Sequence, residues 1–171
     1  MEPQEQTGRG TAIHIPQGEG KSIWILGDLL TFKVHEQSES VGIFELEVPP
    51  EGGAGPHLHR TQDETHYVLE GHFEFLLGER KVSAALGSVV YVPRTTVHAF
   101  TNTATEKGKI LFIEGPAGAL ERWLEEVGEP VSDPSSPPQG PPEMDKLQAS
   151  AQRTGGIEFV EPSEEGAGYL G

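Results

Sequence analysis

The chain has 171 residues, with 27 acids against 12 bases, a net charge of −15 and no cysteine. That length suits one domain with a real core, and the missing cysteines exclude disulfide scaffolds, zinc fingers, iron–sulfur ligation and thiol catalysis. The acidic balance argues against binding nucleic acid through its phosphates and against adhesion to anionic membrane, and no run approaches the roughly 20 apolar residues of a membrane span.

Residues 1–10, MEPQEQTGRG, are polar, read as a flexible N-terminus, and lack the apolar centre of a secretory signal. A cytoplasmic protein is the expectation. Residues 11–115 are rich in Val, Ile, Phe and Thr and are broken by Gly, Pro, Asn and Asp. Strands are predicted at 12–15, 22–26, 30–35, 41–48, 65–70, 72–78, 88–92, 97–103 and 109–114. Strands this short and this closely spaced predict an all-β antiparallel sandwich or barrel. Residues 116–171 change character. Leu120, Trp123, Leu124 and Val127 recur at helical spacing between Pro116 and Gly128. A Pro-rich spacer follows over 128–142. Met144, Leu147 and Ala151 predict a second short helix stopped at Gly155 and Gly156. Ile157 to Val160 then reads as an edge strand or strap. The acids of this last zone read as a solvated, solubilising surface.

Of seven histidines, three lie within ten residues: His57, His59 and His66. On an extended strand, positions i and i+2 share a face, so His57 and His59 project together. Glu64 follows five residues after His59, and His98 comes 39 residues after His59. Three imidazoles and a carboxylate converging on one point suit a divalent transition metal, since imidazole suits Fe, Ni, Cu and Zn and the carboxylate broadens this to Mn. Alternation also turns His66 to the same face as Glu64. His66 is therefore a candidate catalytic residue beside Glu64, lining the pocket as a hydrogen-bonding or acid–base group, or else a partner that orients Glu64. Phe73, Phe75, Phe44, Leu46 and Trp24 are further pocket candidates. His14, His35 and His72 read as surface or turn histidines, and Arg60–Asp63 as a loop with solvated charges.

The stretch EGGAGPHLHRTQDETHYVLEG places His57, His59, Glu64 and Gly71 in the spacing of the first cupin motif. GSVVYVPRTTVHAFTN places Gly87, Pro93, His98 and Asn102 in the spacing of the second. The chain thus resembles the cupin superfamily, and SIWILGDLLTF, YVLEG and ERWLEEVGEP make it similar to single-domain cupins described as quercetin dioxygenase-like. Two motif glycines are replaced, the first by Glu51 and the second by Thr95. The resemblance implies a cupin-type antiparallel β-barrel, or jelly roll, with a short C-terminal helical extension. It also implies a metal, Fe, Mn, Ni or Co with Zn or Cu also possible, held by His57, His59, Glu64 and His98, a small-molecule substrate and a homodimer. The implied activity is a dioxygenase reaction on a small enol or flavonol-type substrate with O2, in which Glu64 also accepts the substrate hydroxyl proton. Alternatives on the same residues are an oxygen-independent isomerase or decarboxylase, or a non-enzymatic small-molecule-binding cupin.

Overall fold

A computed structural model describes residues 12–35 and 38–160, so the N-terminal ten residues lie outside the described residues. Ten strands come first: β1 Lys21–Ile25, β2 Asp28–Val34, β3 Gly42–Val48, β4 Gly53–Leu58, β5 Asp63–Glu70, β6 His72–Leu77, β7 Arg80–Ala85, β8 Val89–Val92, β9 His98–Asn102 and β10 Gly108–Gly115. Helix α1 (Ala119–Val127), the two-residue strand β11 (Glu129–Pro130), helix α2 (Met144–Thr154) and the two-residue strand β12 (Glu158–Phe159) follow. All pairings are antiparallel. One sheet runs β11-β1-β2-β3-β10-β5-β8, and the other runs β12-β4-β9-β6-β7. The all-β jelly-roll expectation holds, but as two facing sheets instead of one closed barrel. The ladders end at β11 and β8 in one sheet and at β12 and β7 in the other.

Alternation builds the core. In β3 and β10 every second residue is buried, so Phe44, Leu46 and Val48 meet Ile110 and Phe112 from the neighbouring strand. Phe73 and Phe75 come in from β6 of the opposing sheet, fully buried. Packing of these inner faces supplies the main stabilisation.

Three local differences from the expected strands have clear causes. Residues 12–15 form no ladder: Ile13 and Ile15 stay largely exposed, and Pro16 has no N–H to donate. β7 was not foreseen because RKVSAA is an edge strand with one buried residue and no hydrophobic alternation. β4 was not foreseen because it is built from Gly and Pro, with a bulge between Ala54 and His57. Gly53 is required there, since a Cβ at that position would lie 2.1 Å from the Phe100 carbonyl oxygen.

The segment after β10 folds back on the sheets. Leu120, Trp123 and Leu124 of α1 are buried in the common core, and the Trp123 indole donates to the Leu147 carbonyl of α2 at 3.1 Å. β12 then pairs with β4, setting Phe159 opposite His57. The strap expected at 157–160 is therefore an edge strand on the sheet that carries the histidines. Among the described residues no helix is long and apolar enough to cross a membrane.

Candidate metal centre

His57 ends the bulged part of β4 and pairs directly with His98, the first residue of β9. The bulge turns the Gly55 carbonyl back toward the ring, where it accepts from His57 Nδ1 at 2.7 Å. His59 lies just past β4, and its Nδ1 donates to the Gly156 carbonyl, 97 residues away in sequence. His98 Nδ1 donates to the Thr96 carbonyl at 3.0 Å. A carbonyl oxygen only accepts, so each Nδ1 must carry the proton and each neutral ring must present a bare Nε2.

Glu64, on β5, meets these rings from the other sheet. Its Oε1 is 2.8 Å from His59 Nε2, and its Oε2 is 2.8 Å from His98 Nε2. One donor atom from each of His57, His59, Glu64 and His98 lies within 4.8 Å of the others, and all four residues are buried. Three inward nitrogens and a carboxylate, gathered on one point and closed to water, are the donor set a divalent cation satisfies.

The electrostatics agree. Burial pushes the His57 imidazole well below its ordinary pKa, and the neighbouring His98 and His59 add to this. Burial works against ionisation of Glu64, but His59 and His98 outweigh it and hold the carboxyl well below the usual range. For His59, burial lowers the pKa and Glu64 raises it, and the carboxylate wins. The cluster thus keeps an anionic carboxylate at its centre.

The replaced motif glycines keep the backbone conformation that glycine favours. Thr95 has φ 66° and Glu51 has φ 64°, both in the left-handed region. Thr95 earns the strain by donating its N–H to the His59 carbonyl at 2.7 Å, joining the two motif loops. The Glu51 turn is held by Asn102, whose backbone pairs with Glu51 and Gly52. The Asn102 side chain, fully buried, donates to the Val48 and Glu106 carbonyls, each at 2.9 Å. Asn102 is a structural tie and not a site residue. Asp63, first in β5, accepts from Arg94 N–H and Nε at 2.9 Å each, fixing the loop ahead of Glu64. Arg60 pairs with Glu158 of the strap. The 60–63 charges are therefore paired across loops as well as partly solvated.

His66 faces inward as alternation predicts. Its Nε2 is 3.8 Å from Glu64 Oε2, its ring stacks on Phe112 at 13° and 5.4 Å, and its Nδ1 is buried without a partner. Burial lowers its pKa to about 4 against the opposing pull of Glu64, so the ring is neutral at pH 7. A cavity of about 80 Å³ opens beside the cluster, lined by His57, His59, Glu64 and His66 and by apolar residues that include Phe100, Phe112 and Leu46. Of the five further pocket candidates, only Leu46 reaches this cavity. Phe44, Phe73 and Phe75 fill the core, and Trp24 faces a separate groove under the Pro-rich spacer. His14 and His72 are exposed, and His35 is half-buried, 3.9 Å from Glu125.

Several cavity residues escaped the sequence reading. Leu120, Trp123 and Leu124 of α1, together with Ile157, form part of the cavity wall. Asp28, 3% exposed, also lines it. Burial raises the Asp28 pKa well above its ordinary value. The signal for Asp28 was present: Leu30 and Phe32 point inward, and alternation extends that face to residue 28.

A family model for the cupin domain matches residues 44–114, the span that carries all four donors. An uncharacterized protein of Streptomyces coelicolor is 31% identical over 83 residues, covering 48% of this chain and 75% of that protein. The chain belongs to the cupin superfamily. Among solved structures, KdgF from Halomonas sp. superposes with a TM-score of 0.58 at 18% identity, over 63% of this chain and 96% of that one. A predicted oxalate decarboxylase from Thermotoga maritima gives 0.57 at 17% identity, over 61% of this cupin and 99% of that chain. These likenesses establish the cupin fold.

Proposed function

We propose that this cupin is a metal-dependent enzyme in which His57, His59, Glu64 and His98 hold one divalent transition metal, Fe, Mn, Ni or Co, for chemistry on a small oxygen-rich substrate. The observation that carries the reading is the convergence of the four donors within 4.8 Å, with the three imidazoles locked in the ligating tautomer by backbone carbonyls. When bound, such an ion supplies Lewis-acid polarisation of a substrate oxygen. Around it the chain's own groups do the rest. Glu64, anionic and dry, accepts the proton of an enol hydroxyl. His66 offers its unpartnered Nδ1 to a second substrate oxygen. The apolar wall from Phe100, Phe112, Leu124 and Ile157 excludes water.

The reaction class we favour is dioxygenation of an enol or enolisable diketone by O2, as in the quercetin dioxygenase-like cupins. The cavity of about 80 Å³ is far below the 300–1,000 Å³ usual for drug-sized ligands. A small enol therefore fits this cavity better than a flavonol. We also propose a homodimer: Leu86, Val89 and Tyr91 expose apolar surface on and beside edge strand β8, and light scattering measures the mass directly.

Metal analysis of the purified chain, followed by oxygen-electrode assays on small diketones and flavonols, tests the reading. Stoichiometric metal with substrate-dependent O2 uptake is expected. Turnover that persists without O2 selects the isomerase or decarboxylase alternative. A chain that takes up no divalent metal overturns the proposal.

A further inference from the structure

Among the cavity-lining residues, Asp28 stands out chemically. Apart from the cluster and His66, the cavity wall is apolar or backbone, and Asp28 contributes a lone carboxyl to it. Its Oδ1 is buried with no hydrogen-bond partner. It begins β2, and β3 and β10 lie between that strand and β5, which carries Glu64 and His66. Three inter-strand steps of about 4.8 Å put roughly 14 Å of curved sheet between the two backbones. The carboxyl therefore enters the cavity from a different side than Glu64 does. A buried polar group without a partner costs stability, and such costs persist where a ligand supplies the missing bond.

We propose that Asp28 is the specificity residue of the site, hydrogen-bonding an oxygen on the end of the substrate remote from the metal. This deepens the metal-enzyme reading and rests on it. The unpartnered carboxyl is free to exchange a hydrogen bond with a substrate oxygen, and burial favours its O–H form, the one that donates to a carbonyl; an apolar tail offers it nothing. The substrate class is then a short-chain oxo acid or enol with two oxygen-bearing ends: one for the metal and His66, the other for Asp28. A substrate with an alkyl end leaves Asp28 unsatisfied and is rejected on that account.

The test uses the full chain loaded with Mn(II) and two probes of equal length, 2-oxopentanoate and 2,4-dioxopentanoate, which differ by one remote oxygen. Binding is measured by calorimetry for the wild type, Asp28→Asn, Asp28→Ala and Asp28→Leu. The ratio of the two affinities, compared across variants, cancels any preference of the ion itself. The wild type should favour the dioxo acid by about tenfold more than Asp28→Leu or Asp28→Ala does. Asp28→Asn, still a donor, should keep most of the preference. The metal-free Asp28→Leu chain should also melt higher than the wild type, because an unpaired buried carboxyl is gone. An affinity ratio that is the same in wild type, Asp28→Leu and Asp28→Ala overturns the specificity role, as does a lower melting temperature for Asp28→Leu with a lost ratio in Asp28→Asn. Metal content read on the same samples separates the two readings: loss of Mn(II) from the wild type defeats the metal site, whereas unchanged Mn(II) with an unchanged ratio defeats Asp28 alone.

Discussion

Replacing Glu114 with glutamine should stabilise the protein, and by more as the pH rises. Glu114 lies on β10, 1% exposed, with both carboxyl oxygens buried. Glu121 of α1, also buried, faces it; one Glu121 oxygen accepts from the Gly118 N–H at 2.5 Å, and the other is unpartnered. Burial first, then Glu121, then Glu64 push the Glu114 pKa from 4.5 up to about 11. In the folded chain Glu114 is therefore protonated at neutral pH, while in the unfolded chain it ionises near its ordinary value. Below the unfolded pKa both states hold the proton and nothing is lost. Between the two values the unfolded state holds fewer protons, so stability falls with pH by about 1.4 kcal/mol per unit. By pH 7 the loss is about 3 kcal/mol, a figure set by the unfolded pKa so long as the folded one stays above 7. Glutamine is neutral at every pH, and its amide can donate to the Glu121 carboxylate. Glu114→Gln should thus match the wild type near pH 4 and exceed it by about 3 kcal/mol near pH 7. Urea denaturation of both chains with chelator present, across that range, measures the difference, and histidine titrations common to both cancel. A difference that does not grow with pH, or a variant less stable at neutral pH, refutes the argument.

Other outcomes follow from the site. His98→Ala removes one of four donors, so metal retained after dialysis against a chelator should fall at least about tenfold with the circular dichroism unchanged; full retention contradicts the ligand set. Gly156→Val places a Cβ only 2.5 Å from the Ala119 carbonyl oxygen, and so displaces the carbonyl that orients His59. Metal affinity by competition with a fluorescent chelator should drop about 10–100-fold, and an unchanged affinity shows the carbonyl to be dispensable. Thr95→Gly relieves a β-branched residue at φ 66°; a gain of about 1 kcal/mol in urea denaturation is expected, and a loss counts against strain at this turn. His66→Phe preserves the stack on Phe112, so metal content should hold while turnover falls at least about tenfold.

The motif spacing made the donor cluster legible because its residues sit on strands whose period is fixed. His57 and Glu64 need only β geometry and one loop between them, and His66 follows from Glu64 by alternation. The strand pattern was readable wherever one face is buried, as in β3 and β10, and failed at β7, where the face is mostly solvent. The cavity wall was harder to read. Phe44, Phe73 and Phe75 alternate like pocket residues, yet they pack in the core behind the residues that line the cavity. Leu124 and Ile157 belong to segments that read as an appendage, and nothing local says that they return to the metal centre. Asp28 follows the hairpin turn Leu26–Gly27, where an aspartate reads as a turn residue although its strand partners face inward.

The carbonyl of Gly156 gives the site an order of assembly. Until that segment docks, the His59 ring is free to spin, and either nitrogen can hold the proton. A chain folded only through β10 therefore has all four donors but not the tautomer of one of them. If the four donors hold an ion as proposed, the docked tail and the loaded centre would reinforce each other, and clipping the tail would loosen the ion.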